Sequence, residues 1–287
     1  MSKPITALLS RPAAILLCLL AWVPEAERLQ LAAQPAENRQ QLITLSPSIS
    51  SMLCLLDAGE QIIGQSAWCR CAPGDAAVVA SQMKVFSEKI VRLSPDRVLA
   101  NELTPGKQLE LLRRSGVPVT VLSEPSGFDE LCSQLLRLGR ITGRERQAER
   151  IVRRERSRLD SLRHAIADAP APGIMVQIGA SPIFVAARGT LADSYIRSAR
   201  AENMVNGSVG GQIGREGVLA EDPDALVLMM ERELAAQERR RWQQYGSLQA
   251  ASEDRIFILD ENPASSPSPV DYVDTVEKLI KKLHAID

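Results

Sequence analysis

Arg144-Glu-Arg-Gln-Ala-Glu-Arg-Ile-Val-Arg-Arg-Glu-Arg-Ser-Arg-Leu-Asp-Ser-Leu-Arg-His-Ala-Ile-Ala-Asp-Ala169 is the stretch whose periodicity decides the fold. Ala148, Ile151, Val152, Leu159, Leu162 and Ile166 recur at three- and four-residue steps with charge elsewhere, the period of a helix with one buried stripe. Gly143 precedes the run and Pro170-Ala171-Pro172-Gly173 stops it. At 1.5 Å per residue such a helix would be roughly 35 to 40 Å long, the width of a small domain. A similar length of strand-and-helix pattern lies on either side. The run therefore reads as a strut, residues 141–169, between an N-terminal lobe at 39–140 and a C-terminal lobe at 172–287. Its arginines alternate with acids, which predicts a solvated face.

The chain has 287 residues, 45% of them apolar, enough for one large core or two ordinary ones. A net charge of -1 with both signs interspersed argues against a nucleic-acid binder, which needs a concentrated basic surface. Lys3 and Arg11 precede the apolar run Ala13 to Val23, too short to span a bilayer and suited to the h-region of a secretory signal. Residues 1–33 are thus expected to be a removed leader and the mature protein to be exported to the periplasm. Cys18 follows Leu16-Leu17 and lacks the small residue that a lipoprotein site requires. Beyond the leader stand Cys54, Cys69, Cys71 and Cys132, for which three full pairings exist. Cys69 and Cys71 are too close for an unstrained bridge to each other. A bridge from one of them to Cys54 or Cys132 is expected, with the choice open.

Leu42 to Leu45 reads as a buried strand, and Ser46-Pro47-Ser48 then opens a helix over Ile49 to Ala58. Further strands are expected at Ile62–Gly64, Arg97–Ala100 and Pro118–Leu122, with helices at Ser87–Leu93, Gly106–Ser115 and Phe128–Leu138. After the strut the alternation restarts with strands at Ile174–Ile178, Phe184–Ala187, Ala225–Met230 and Ile256–Leu259. Helices are expected at Leu191–Ala199, Glu233–Gln244 and Tyr272–His284. This order predicts an α/β chain of two lobes, each with a small, mainly parallel sheet flanked by helices, joined by one long inter-lobe helix. Ligands of such sheets bind at strand carboxyl ends, where Ser46–Ser48 lie.

The halves share a spacing. Glu88 lies seven residues before Pro95 and Glu216 seven before Pro223, with Asp and a strand following each proline. Singly, either glutamate suits a helix start, where an acid contributes about 0.3–1 kcal/mol through the dipole. As a pair they offer matched charges to a two-fold partner.

Residues for catalysis are sparse. His164 and His284 are the only histidines, no serine sits in a nucleophile elbow, and Cys69-Arg70-Cys71 lacks metal-ligand spacing. No metal site, catalytic residue or bound cofactor is expected, and the chain reads as a non-enzyme. The glycines between Asn206 and Gly214 do not follow a strand within a tight βαβ unit, so they read as a flexible loop. Trp68, in a loop after a strand, is either a core residue or a flat cleft wall.

These segments resemble the substrate-binding proteins of ABC importers for cobalamin, iron-siderophores and haem, whose two lobes are joined by a long helix. The carriers are Leu42-Ile43-Thr44-Leu45-Ser46-Pro47-Ser48, Gly64 to Cys69, Glu88 to Asp96, Leu138-Gly139-Arg140, Gln177-Ile178-Gly179 with Pro182, Glu202-Asn203, and Arg215 to Leu219. The resemblance implies a monomer holding its ligand between the lobes, against Ser46, Pro47, Ser48, Trp68 and the turn Gly179-Ala180-Ser181-Pro182. It also implies that Glu88 and Glu216 dock on arginines of a dimeric permease in the inner membrane, and that lobe motions are small. The Ser-Pro-Ser turn, Trp68 and the Gln-Ile-Gly turn are closest to the cobalamin-binding branch, so a corrinoid is the favoured ligand. Gln82, Gly210 and Val270 depart from that branch's pattern, and Tyr195 and Tyr272 read as helical rather than as haem ligands. The contrasting expectation is an enzyme or sensor domain on the same scaffold.

Overall fold

A computed structural model describes residues 40–69, 71–81, 84–205, 211–260 and 267–284. The expected leader, Cys18, Gln82, Gly210 and residues 263–266 of the Pro/Ser loop lie outside the described residues. In the first half, β1 (Leu42–Thr44) leads into α1 (Pro47–Leu55), with Pro47 at the first helical position, where no amide donor is needed. A 3₁₀ turn, Gly59–Gln61, precedes β2 (Ile62–Ser66). Next come β3 (Ala77–Ala80), α2 (Ser87–Leu93), β4 (Arg97–Asn101), α3 (Gly106–Arg114), β5 (Val119–Leu122) and α4 (Phe128–Thr142). The five strands form a sheet in the order β3-β2-β1-β4-β5, every pair parallel. β3 has no counterpart in the sequence reading, because Ala-Val-Val-Ala is short and becomes a strand only through pairing of Val78 with Gln65.

The strut is α5 (Glu145–Ala165), a single helix of 21 residues. It ends before Ala169, the limit read from the sequence. Ile166 has left the helical region, and Ala169 N–H turns back to the Ile166 carbonyl at 3.0 Å. Pro170 disfavours helix at Ala169, which accounts for the earlier stop.

The second half comprises β6 (Gly173–Ala180), β7 (Ile183–Val185), α6 (Leu191–Ser198), β8 (Glu202–Asn203), β9 (Gly211–Gln212) and α7 (Arg215–Glu221). It continues with β10 (Ala225–Met230), α8 (Arg232–Trp242), α9 (Gln249–Ser252), β11 (Ile256–Asp260) and α10 (Pro269–His284). The second sheet runs β11-β10-β6-β7-β9, with β8 also on β6. Antiparallel pairing is confined to the β6–β7 hairpin and to β9.

One hydrophobic core joins the inner faces of both sheets through the strut. Leu42, Leu53 and Leu99 of the first sheet's side, Leu138, Ala148 and Leu159 of the two central helices, and Ile174, Val227 and Tyr272 of the second half all belong to it. Two outer cores lie beneath α2 and α3 and beneath α7 and α8. The lobes are thus halves sharing a central layer rather than bodies held apart. The stripe read from the sequence is buried at Ala148, Ile151, Leu159 and Ile166. The strut's charged positions are not all solvated, however. Glu155 is completely buried, accepts from Arg154 at 2.6 Å and Arg158 at 3.2 Å, and Arg158 goes on to Asp274 and Glu277 of α10 at 2.7 and 2.5 Å.

The strut seats closely on α4 because Gly139 has no side chain: a Cβ there would come within 2.8 Å of the Ala148 Cβ. Gly143 closes α4 in the left-handed region at φ 69°, and the next amide, Arg144 N–H, bonds the Gly139 carbonyl at 2.7 Å. Gly139→Val should lower unfolding free energy by about 1–3 kcal/mol through overpacking. Urea denaturation checks this against Gly74→Ala, whose Cβ would enter open space and which should leave the midpoint unchanged.

Candidate functional site

At the carboxyl ends of the first sheet's strands lies a cavity of about 260 Å³. Ser46 and Pro47 line it beyond β1, Ser66 and Trp68 beyond β2, and Asn101 beyond β4. Ser46 is buried, caps the start of α1 in extended conformation, and its hydroxyl lies 3.0 Å from that of Ser48. Ser48 shares that bond without lining the cavity.

Trp68 is 59% exposed, which excludes the core reading for this ring. Its loop is firmly held. Trp68 N–H donates to the Ser66 hydroxyl at 3.3 Å, Cys69 N–H to the Ser66 carbonyl at 3.0 Å, and Ala67 N–H to the Ala80 carbonyl of β3 at 2.9 Å. A disulfide joins Cys54 of α1 to Cys71 with Cα atoms 5.9 Å apart, so the helix that starts at the cavity also staples the far end of the Trp68 loop. Cys69 and Cys132 remain buried thiols. Burial raises both pKa values, that of Cys132 to about 12, so neither is a thiolate near neutral pH.

Gly179, Ala180, Ser181 and Pro182 do not line this cavity. Gly179 and Ala180 end β6, and Ser181 and Pro182, exposed and joined by a cis peptide, form the turn of the β6–β7 hairpin. The same hairpin carries two exposed apolar side chains that the sequence reading placed in strands but not in the site, Ile178 and Phe184. The Phe184 ring lies against Gly179, 3.1 Å from where a Cβ would stand, so the glycine leaves room for a ring at the turn. A lone aromatic at an alternating strand position was the available signal for Phe184.

Beneath the hairpin is a buried polar cluster. Glu238 of α8 is fully buried and accepts from Gln177 at 3.1 Å, from Arg215 at 2.8 and 3.0 Å, and from Arg241 at 2.6 Å. Burial alone would raise its pKa. The hydrogen bonds from Gln177, Arg215 and Arg241, with the attraction of the Arg215 charge, reverse this and hold the carboxyl below its usual range.

Glu88 and Glu216 are both exposed, each the second residue of a seven-residue helix, α2 and α7. Their surroundings repeat in detail. The fourth residue of each helix, Ile90 or Val218, is buried, and each helix closes on a left-handed residue, Ser94 at φ 47° or Asp222 at φ 44°. A Pro-Asp pair follows. Asp96 carboxylate accepts from Gln41 N–H at 2.7 Å while its own amide returns to the Gln41 carbonyl at 2.9 Å. Asp224 makes the same two bonds with Gly173, at 2.7 and 2.9 Å. Each Asp thereby ties its strand, β4 or β10, to the start of its parallel neighbour, β1 or β6. The spacing seen in the sequence is a structural repeat, and it sets the two carboxylates at equivalent places in the two halves.

Among the described residues no group of three or more His, Cys, Asp and Glu side chains could hold a metal ion. Tyr195 and Tyr272 are each 1% exposed and stack on one another with ring centroids 4.7 Å apart.

The architecture is two-lobed and α/β, with a central helix and a cavity at strand carboxyl ends. The chain belongs to the periplasmic binding protein family, whose model matches residues 42–263. It is 28% identical over 214 residues to a vitamin B12-binding protein of Pectobacterium atrosepticum, covering 71% of this chain and 76% of that one. A vitamin B12-binding protein of Pectobacterium carotovorum is 30% identical over 196 residues, covering 66% and 71%. Among solved structures, the periplasmic vitamin B12 binding protein of Vibrio cholerae superposes with TM-score 0.74 at 22% identity, covering 85% of this chain and 97% of that one. A periplasmic heme binding protein from Pseudomonas aeruginosa gives 0.76 at 24% identity, covering 86% and 93%. These structural likenesses establish the fold.

Because the Glu238 pKa is depressed on folding, its contribution to stability is present above the unfolded glutamate value of about 4.3 and is lost as pH falls through the lower folded value. Urea unfolding from pH 6 down to pH 3 should show this loss in the wild type, and Glu238→Gln should remove that part of the pH slope.

Proposed function

We propose that this chain is the exported, monomeric substrate-binding protein of an ABC importer. In this reading its lobes, 39–140 and 172–287, hold a bulky metal chelate between them, a corrinoid such as cobalamin, and deliver it to a dimeric inner-membrane permease. The single observation that carries the reading is the structural repeat around Glu88 and Glu216. Two exposed carboxylates on equivalent ridges fit a two-fold receptor bearing positive charge. The B12-binding relatives and the exposed Trp68 ring at the cavity favour the corrinoid. About 260 Å³ is below the roughly 300–1,000 Å³ of drug-sized ligand sites, so a macrocycle would rest on the Trp68 loop and Ser46–Ser48 and extend toward the Gly179–Pro182 hairpin, with Phe184 as a second apolar contact. The apolar run near the amino terminus supports export.

A ferric siderophore is the second reading, favoured by Lys84, the one charged side chain among the described residues that line the cavity. Haem fits less well, because the Tyr195 and Tyr272 phenols are buried in the core.

Titration of the purified protein with cyanocobalamin should quench Trp68 emission, and Trp68→Ala should weaken binding about tenfold, near 1.4 kcal/mol. Quenching by a ferric siderophore alone moves the assignment to the second reading, and silence toward both removes it. Replacing Glu88 and Glu216 together by alanine should abolish transport in cells while ligand affinity stays within about twofold, since exposed rim charges govern encounter with a partner. A matching fall in ligand affinity would refute the docking role.

A further inference from the structure

Gln177, fully buried on β6, is the node of a closed circuit. Its amide nitrogen donates to the Gly179 carbonyl at 3.0 Å and to Glu238 at 3.1 Å, while its carbonyl accepts from Trp242 Nε1 at 2.7 Å. Arg215 binds both oxygens of Glu238 and stacks over the Trp242 ring at 4.4 Å, which completes the loop. One end of the circuit is Gly179, two residues before the hairpin turn. The other is the first residue of α7, adjacent to Glu216.

A buried carboxylate between two arginines rarely stabilises a fold more than apolar packing of similar volume would, but breaking one partner is costly because the remaining charges lose their compensation. This cluster fixes geometry, because Arg215 Nη2 meets both Glu238 oxygens while the same guanidinium lies over the Trp242 ring, and neither contact survives a large displacement. The corresponding position in the first lobe is Ser87, which cannot form this clamp. There, Lys89 reaches the Val78 carbonyl at 2.9 Å instead.

We infer that Glu238 is a positioning residue: through Arg215 and Gln177 it locks the first turn of α7, and with it Glu216, to the β6–β7 hairpin. Displacement at the hairpin is then transmitted to the carboxylate of the second lobe and not to Glu88. The inference rests on the proposed ligand role of the hairpin and docking role of Glu216, but its mechanical content is measurable without either partner.

Hydrogen exchange on the full chain reads it. Glu238→Gln should speed exchange about tenfold in both α7 and the hairpin, residues 177–185, while α2 keeps its wild-type rate, because local opening is governed by the contacts of the opening unit. Gln177→Leu, which removes the bonds from β6 to Glu238 and Trp242 and touches no atom of α7, should also speed α7. Arg215→Lys keeps the charge but loses the planar group over the Trp242 ring, so it should give the same pattern, and it replaces Glu238→Gln if that variant does not fold. Acceleration confined to α8, or equal acceleration of α2, overturns the inference. Glu216→Ala should leave exchange in α7 and the hairpin unchanged, so a failure of the docking reading would appear in transport alone.

Discussion

The apolar stripe of α5 is covered from both sides at once, by α4 of the first half and α10 of the second, and this double burial constrains everything else. Gly139 lets α4 approach to the limit set by Ala148, and Arg158 holds α10 through Asp274 and Glu277. Packed interiors resist continuous deformation. With one core running from the first sheet through the strut to the second, wide opening of the lobes would expose apolar surface along the whole helix, whereas small shear movements would not.

On that frame the two halves use the same device to begin their central strand pairs. An aspartate after proline exchanges two bonds with the first residues of the adjacent strand, and the short helix before it is pinned by one buried aliphatic side chain. Position is therefore imposed on Glu88 and Glu216 by backbone hydrogen bonding and core contact, while their side chains are exposed. The second half adds a buried ionic cluster beneath its carboxylate helix. The two ridges are equivalent in backbone and different in support.

The proposed ligand wall follows a similar division between rigid support and exposed chemistry. The Trp68 ring stands in solvent, yet its loop is bonded to Ser66 and Ala80 and stapled through Cys71 to α1. A large exposed ring on a fixed loop loses little freedom when a flat ligand covers it, which is where binding energy is gained most directly.

The sequence alone determined the order of the main elements, the strut and the two lobes, because 3.6-residue periodicity and alternating strand-helix punctuation are local properties. Ser87–Leu93 and Ala225–Met230 were legible to the residue for that reason. The Glu88 and Glu216 spacing was legible too, though its meaning needed the Asp96 and Asp224 bonds, which span 55 and 51 residues. Only the tertiary structure decided the rest: β3 as a strand, Cys54 as the partner of Cys71, the burial of Glu155 and Glu238, and the exposure of Trp68 against the burial of Tyr195 and Tyr272. Each of these depends on what lies opposite a residue in space. Composition and spacing carry no record of that, since the same glutamate can be a solvated charge or the centre of a buried cluster according to the arginines that the fold brings to it.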